Sequence, residues 1–309
     1  MTNVEELLAA VSEEHPCGVD ISSDPRLQQI EMALEGASRN RALDLELKEE
    51  TKPKWHDYVT TCEEMWAEGK HLSVALLLCL GWLNVEGLTG FRQGLLLIRW
   101  LIVDHWETFY PAVDEEDLRL MILENLVNPI AQEGDYFEFM AALRQTRLSN
   151  SRLGVATLAE ALGGAVPSDR DLEDVLDPSK VSGDVAIALQ DSGNEFVDGL
   201  LATVEEIQGI VGELRTAVRA RVGSSAPSWD PLEQNLAAIR CLLAEYGTPP
   251  EAEPVVEVEA AGGAVAAGVT LQGFSGGINS KKDVCKALDE IIKFYTRGEA
   301  YDDAEKSPV

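Results

Sequence analysis

The sequence predicts an all-α protein: a helical N-terminal and middle bundle, then a flexible linker, then a C-terminal amphipathic helix. Three observations carry this reading. Helical periodicity runs through residues 1–246, where strand patterns are almost absent. Two apolar runs, 72–83 and 94–106, are too short or too broken by charge (Arg99, Asp104) to cross a bilayer, and read as buried helices. Composition then shifts across 248–277 to Pro, Glu, Ala and Gly with no helical face.

The first helix follows the stretch HPCGVDISSDPRLQQIEMALEG at 15–36. Asp24 is an N-cap, because its carboxylate accepts the unpaired amide hydrogens of the first turn. Pro25 sits at the first helical position, where its missing N–H costs nothing. Leu27, Ile30 and Leu34 make one buried face, and Gly36 stands where a left-handed C-terminal cap would end it. Trp55, Val59, Cys62 and Met65 or Trp66 form the stripe of the next helix. The two apolar runs form a helical hairpin, with Gly87 and Gly90 at its bend. DEEDLRLMILENLVNPIA has an acidic start suited to a helix dipole. Residues 134–163 read as two short helices, and 166–184 as a loop. One long helix is expected over 184–221, its stripe made of Val185, Leu189, Phe196, Leu200, Val204, Ile207, Val211, Leu214 and Val218. In 228–247 Asp230 is a cap, Pro231 a start, and Leu232, Leu236, Ile239 and Leu243 an inner face. After the linker, Ser280 and Asp283 make a capping-box pattern ahead of Val284, Leu288, Ile291 and Tyr295, an apolar face that needs a partner.

Charge excludes some function classes. The 309 residues include 54 acidic and 25 basic side chains, a net charge of −29. Nucleic acid and anionic membranes both select Lys and Arg clusters, so neither is an expected partner, and no membrane insertion is expected. Basic proteins are favoured instead. The five cysteines, at 17, 62, 79, 241 and 285, are odd in number and irregular in spacing, which fits a reducing cytoplasm. The acidic N-terminus does not read as a signal peptide.

Chemistry has few candidates. His15, Cys17 and Asp20 crowd together, but the paired spacings of structural zinc sites are absent. Cys17 lies in no nucleophile signature, and none of the four histidines does either. GGAVAAG at 262–268 is Gly-rich but lacks the Lys-Ser/Thr ending of a phosphate loop. No catalytic residue, metal or cofactor is expected. The opening stretch reads as a lead-in whose polar side chains bond the backbone.

The run 70–117 resembles the core of the ImpA N-terminal domain, the signature of the TssA family of bacterial type VI secretion systems. That family's pattern is a K-D-L-x-V helix, then E-G-L-x-G-F-x-x-G-L, then W-x-x-x-x-P-x-x-D. It falls here on Lys70, Leu72 and Val74; on Glu86, Gly87, Leu88, Gly90, Phe91, Gly94 and Leu95; and on Trp106, Pro111 and Asp114. His71 stands where Asp is usual. The family's opening P-x-G-x-D-x-x-x-D-P is matched by Pro16, Gly18, Asp20, Asp24 and Pro25, as a structural motif. The segment from Gly276 is similar to the start of the family's C-terminal domain, with Lys281 where Arg is usual.

The resemblance implies a domain plan: an ImpA N-terminal helical domain at 1–165, a middle helical region at 166–247, a linker at 248–277, and the start of an oligomerisation domain at 278–309. That last domain is expected to be incomplete, because GEAYDDAEKSPV replaces the family's usual continuation into further helices. Val284, Leu288, Ile291 and Tyr295 would then serve oligomerisation. The implied function is a non-enzymatic, cytoplasmic, baseplate-associated component that helps start or coordinate tube and sheath polymerisation. Its partners would be baseplate, tube and sheath proteins and copies of itself. The competing reading is a generic cytoplasmic helical adaptor unrelated to secretion.

Overall fold

Twelve consecutive buried residues, Leu72–Leu83, need covering on every side, and the fold is arranged around them. The computed structural model describes residues 4–42, 52–128, 137–163 and 181–248, all within one compact unit, Met1–Glu251. The helices are α1 (Pro25–Ala42), α2 (Trp55–Glu68), α3 (Leu72–Glu86), α4 (Leu88–Arg99), α5 (Glu116–Val127), α6 (Phe139–Gln145), α7 (Gly183–Ser192), α8 (Asn194–Val222) and α9 (Asp230–Tyr246). One-turn helices lie at Val4–Leu7 and Leu158–Ala161. The fold is all-α: among the described residues there are only two isolated β-bridges and no strand.

Every residue of α3 from Leu72 to Leu83 is buried. A helix that is apolar all round belongs at the centre of a core. Helices α2 and α4 pack on it from two sides, and α5 and α6 touch it as well. The α3–α4 hairpin is as close as backbones allow. A Cβ added at Gly94 would stand 2.3 Å from the Cα of Cys79, and one at Gly90 would stand 2.3 Å from the carbonyl oxygen of Trp82. Gly87 alone makes the bend, at φ +68; Gly90 is one turn into α4 and serves close approach instead. The expected second helix of the hairpin is also shorter. α4 ends at Arg99 and continues as a π-helical turn, Trp100–Asp104, so Trp106 lies beyond the helix.

Helix α8 lies along α4. Arg92 pairs with Glu206 and Arg99 with Glu213, two contacts with the same sequence offset, so the helices run in the same direction. The inward positions of α8 are Val197, Val204, Ile207, Val211, Leu214 and Val218. That is near-heptad spacing, the pattern of a helix facing a narrow seam. The single long helix expected over 184–221 is broken in two, because Gly193 adopts φ +79. The break rotates the register, and Val197 is buried where Phe196 and Leu200 are only partly so. Gly36 does not end α1: Ala37 extends the buried stripe past it, and one internal Gly costs only about 1 kcal/mol. Asp230 is not a cap. It lies inside α9, and its backbone N–H donates to Ser228 Oγ at 3.3 Å.

The 248–277 linker beyond Thr248, the 280–296 helix and the residues Val284, Leu288, Ile291 and Tyr295 lie outside the described residues.

Candidate functional site

Three motif segments, far apart in sequence, meet at one end of the α2–α3 pair. Gly18 bridges antiparallel to Gly69, and His71 bridges parallel to Tyr110. Lys70 N–H donates to the Cys17 carbonyl at 2.8 Å, Tyr110 N–H to the Lys70 carbonyl at 3.1 Å, and Leu72 N–H to the Tyr110 carbonyl at 2.7 Å. The opening stretch, the α2–α3 connection and the segment before Pro111 are thus stitched into one junction. Gly18 is required there twice. Its φ is +69, and a Cβ would stand 2.2 Å from the Glu68 carbonyl oxygen.

Asp24 and Pro25 start α1 as the local chemistry demands. Asp24 Oδ1 accepts the Arg26 N–H at 2.8 Å, and the Arg26 guanidinium bonds both Asp24 and Glu68, tying α1 to the end of α2. The Arg26 hydrogen bonds hold the Asp24 carboxyl below the usual carboxylate range.

Asp20, Ser22 and His71 form a second chain of contacts. Ser22 Oγ donates to Asp20 Oδ1 at 2.5 Å and lies 3.2 Å from His71 Nε2. The same three residue types make a hydrolytic triad, but the proton order here is opposite. His71 is the N-cap of α3, and its Nδ1 accepts the Ser73 N–H at 3.1 Å. Nδ1 therefore carries no proton, and Nε2 carries one and donates it to Ser22. A general base needs a free lone pair toward the serine, and this imidazole has none. Burial pushes His71 down to about 4, so the ring is neutral. His71 thus serves as the imidazole cap of α3.

The thiol and lysine at the junction are likewise committed to the fold. Cys17 Sγ contacts Thr108 Oγ1 at 3.4 Å, and burial raises its pKa, the reverse of what a thiolate nucleophile needs. Lys70 Nζ donates to the Leu7 carbonyl at 3.3 Å and sits 4.7 Å from the centre of the Trp66 ring; burial pushes it down to about 8. Among the described residues no three His, Cys, Asp or Glu side chains converge on a metal position.

The largest polar group in the core is one that sequence reasoning missed. Arg119 is only 1% exposed. Its guanidinium donates to the carbonyls of Trp106, Phe109 and Pro111, each at 2.7 Å. It lies against the Phe109 ring at 3.9 Å and the Trp106 ring at 4.9 Å. The turn from Trp106 to Pro111 is wrapped around this side chain. The signal was legible: Arg119 shares the inward face of α5 with Ile122, Leu123 and Leu126, and an Arg in a core register needs an internal partner.

The remaining motif residues lie elsewhere. Phe91 and Gly94 are at the α3–α4 contact, and Phe91 stands 6.4 Å from Phe139. Glu86 is at the end of α3, with one carboxylate oxygen buried and without a hydrogen bond among the described residues. Pro16 accepts the Val11 N–H at its carbonyl. Asp114 is exposed, in a 3-10 turn.

Fold and junction define the class: an all-α protein in which the segments around Gly18, Asp24, Gly69 and Tyr110 are joined to one another. Residues 8–128 match the family described as ImpA, N-terminal, type VI secretion system. The chain is 30% identical to the type VI secretion system component TssA1 of Pseudomonas aeruginosa, over 97% of this chain and 87% of that protein. Its fold resembles the solved N-terminal domain, including the conserved ImpA_N region, of the TssA component from Burkholderia cenocepacia. The TM-score there is 0.59 at 20% identity, covering 79% of this chain and 93% of that one. The chain belongs to the TssA family of type VI secretion system components.

Proposed function

We propose that this protein is a non-enzymatic assembly component of a type VI secretion system. It associates with the baseplate and helps to start or coordinate polymerisation of the inner tube and sheath. The observation that carries the reading is the likeness to TssA1 along almost the whole chain rather than over the N-terminal domain alone. The junction supports it: Asp20, Ser22, His71, Cys17 and Lys70 are all engaged in holding segments together.

The working layout follows the domain plan. The helical body, through about residue 247, contacts partner proteins; 248–277 is a tether; 278–309, with Val284, Leu288, Ile291 and Tyr295, mediates self-association. The protein works in the cytoplasm, consistent with the finding that no described helix is long and apolar enough to cross a membrane. The test is export of the inner-tube protein into the culture medium. Deleting the gene should abolish export, and supplying the full chain should restore it. Undiminished export from the deletion strain would favour the adaptor unrelated to secretion.

A further inference from the structure

Helix α5 turns one well-packed face inward and leaves an unusual face outward. The inward face carries Arg119, Leu120, Ile122, Leu123, Leu126 and Val127. Outward, at helical spacing from the preceding turn, come Asp114, Asp117, Leu118, Met121 and Glu124, all exposed. Met121 is 58% exposed and Leu118 36%. Single exposed apolar residues mean little. Here two large ones are adjacent, one helical turn apart, and carboxylates flank them.

Those carboxylates are not paired within the described fold, although the charge of Asp114 acts on the buried Arg119 guanidinium. Asp114, Asp117 and Glu124 enter no ion pair among the described residues. The only basic residue between Val113 and Val127 is Arg119, which is buried. An apolar centre with an acidic rim that forms no ion pair among the described residues is complementary to one kind of surface, an apolar stripe edged by Lys or Arg.

We propose that the outer face of α5 is a docking surface for a cationic amphipathic helix of a partner protein. Leu118 and Met121 take the partner's apolar stripe; Asp114, Asp117 and Glu124 take its basic edges. A flexible thioether suits Met121 to an irregular apolar contact. The acidic rim disfavours the surface of an anionic membrane, which would repel it. The inference rests on the assembly role proposed above and names the chemistry of one partner in it.

The probe is a fluorescent Leu/Lys amphipathic helical peptide of about five turns, with a Ser/Lys peptide of equal charge as the comparison. Binding to the full chain is followed by anisotropy. The Leu/Lys peptide should bind the native chain more tightly than the Ser/Lys peptide does. The double variant Leu118→Lys/Met121→Lys should bind the Leu/Lys peptide roughly tenfold more weakly, with an unchanged circular dichroism spectrum. Leu153→Lys/Ile187→Lys makes the same charge change at two other exposed apolar positions and should bind as the native chain does. Equal binding by the native chain and the α5 variant overturns the proposal, as does equal weakening by both variants, since that is bulk charge. In cells the two readings separate. If deleting the gene leaves export intact, the assembly role fails. If deletion abolishes export and the α5 variant restores it fully, the docking surface alone fails.

Discussion

Replacing Arg119 by Met tests whether the Trp106–Pro111 turn is held by one buried cation. The swap keeps most of the volume and removes every donor. It strands three carbonyl acceptors, those of Trp106, Phe109 and Pro111, each now bonded at 2.7 Å. A buried acceptor left without a partner costs about 1–3 kcal/mol. Against this stands relief of the guanidinium's own desolvation, the burial that lowers the Arg119 pKa. The balance is a loss of about 4 kcal/mol, within the range for breaking a buried charged network. For a body of this size that is a fall in Tm of roughly 10 °C. Arg119→Lys should recover little, because a single ammonium cannot fork to three carbonyls. Thermal and urea unfolding, followed by circular dichroism, reads both variants. A loss under about 1 kcal/mol, or a Lys variant as stable as the native chain, would refute the reasoning.

His71 makes stability depend on pH. Its folded pKa, about 4, lies below the ordinary 6.5, so the unfolded chain binds the extra proton first. Its contribution is complete above the unfolded value and is lost as pH falls toward the folded one, by at most about 3 kcal/mol. His71→Asn keeps a capping side chain and should flatten the stability profile between pH 4 and 6.5; an unchanged profile argues against a neutral buried ring. Gly94→Leu should be far more damaging than Gly36→Leu, since a Cβ at Gly36 meets nothing within 4 Å. Overpacking costs about 1–3 kcal/mol or more, and equal melting temperatures for the two variants would show that the α3–α4 contact is loose. Chelation with EDTA should leave the melting curve in place, and a drop in Tm would point to a bound structural metal.

Much of this body was legible because its signals are local. Asp24 and Pro25 announce α1, and the unbroken apolar run of α3 announces a central helix. The junction was half legible. Pro16, Gly18, Asp20 and Trp106 stood out as motif residues, but nothing local shows that Gly18 meets Gly69 or that His71 meets Tyr110. Such pairings are set by how α2 and α3 pack, across long sequence separations. The missed helix break has a different cause. Gly193 sits inside a continuous apolar periodicity, and periodicity cannot tell an internal Gly from one at a positive φ. Arg119 escaped notice because an Arg beside four acidic residues reads as a solvated charge until the core register of α5 is counted.

Time-lapse imaging of a fluorescent sheath subunit, in the bacterium that encodes this chain, tests the central claim most directly. Deletion of the gene should leave the sheath protein diffuse or its assembly events rare and aborted, and the full chain supplied in trans should restore extended sheaths. Sheaths that assemble at the native frequency and length without the chain would contradict the account.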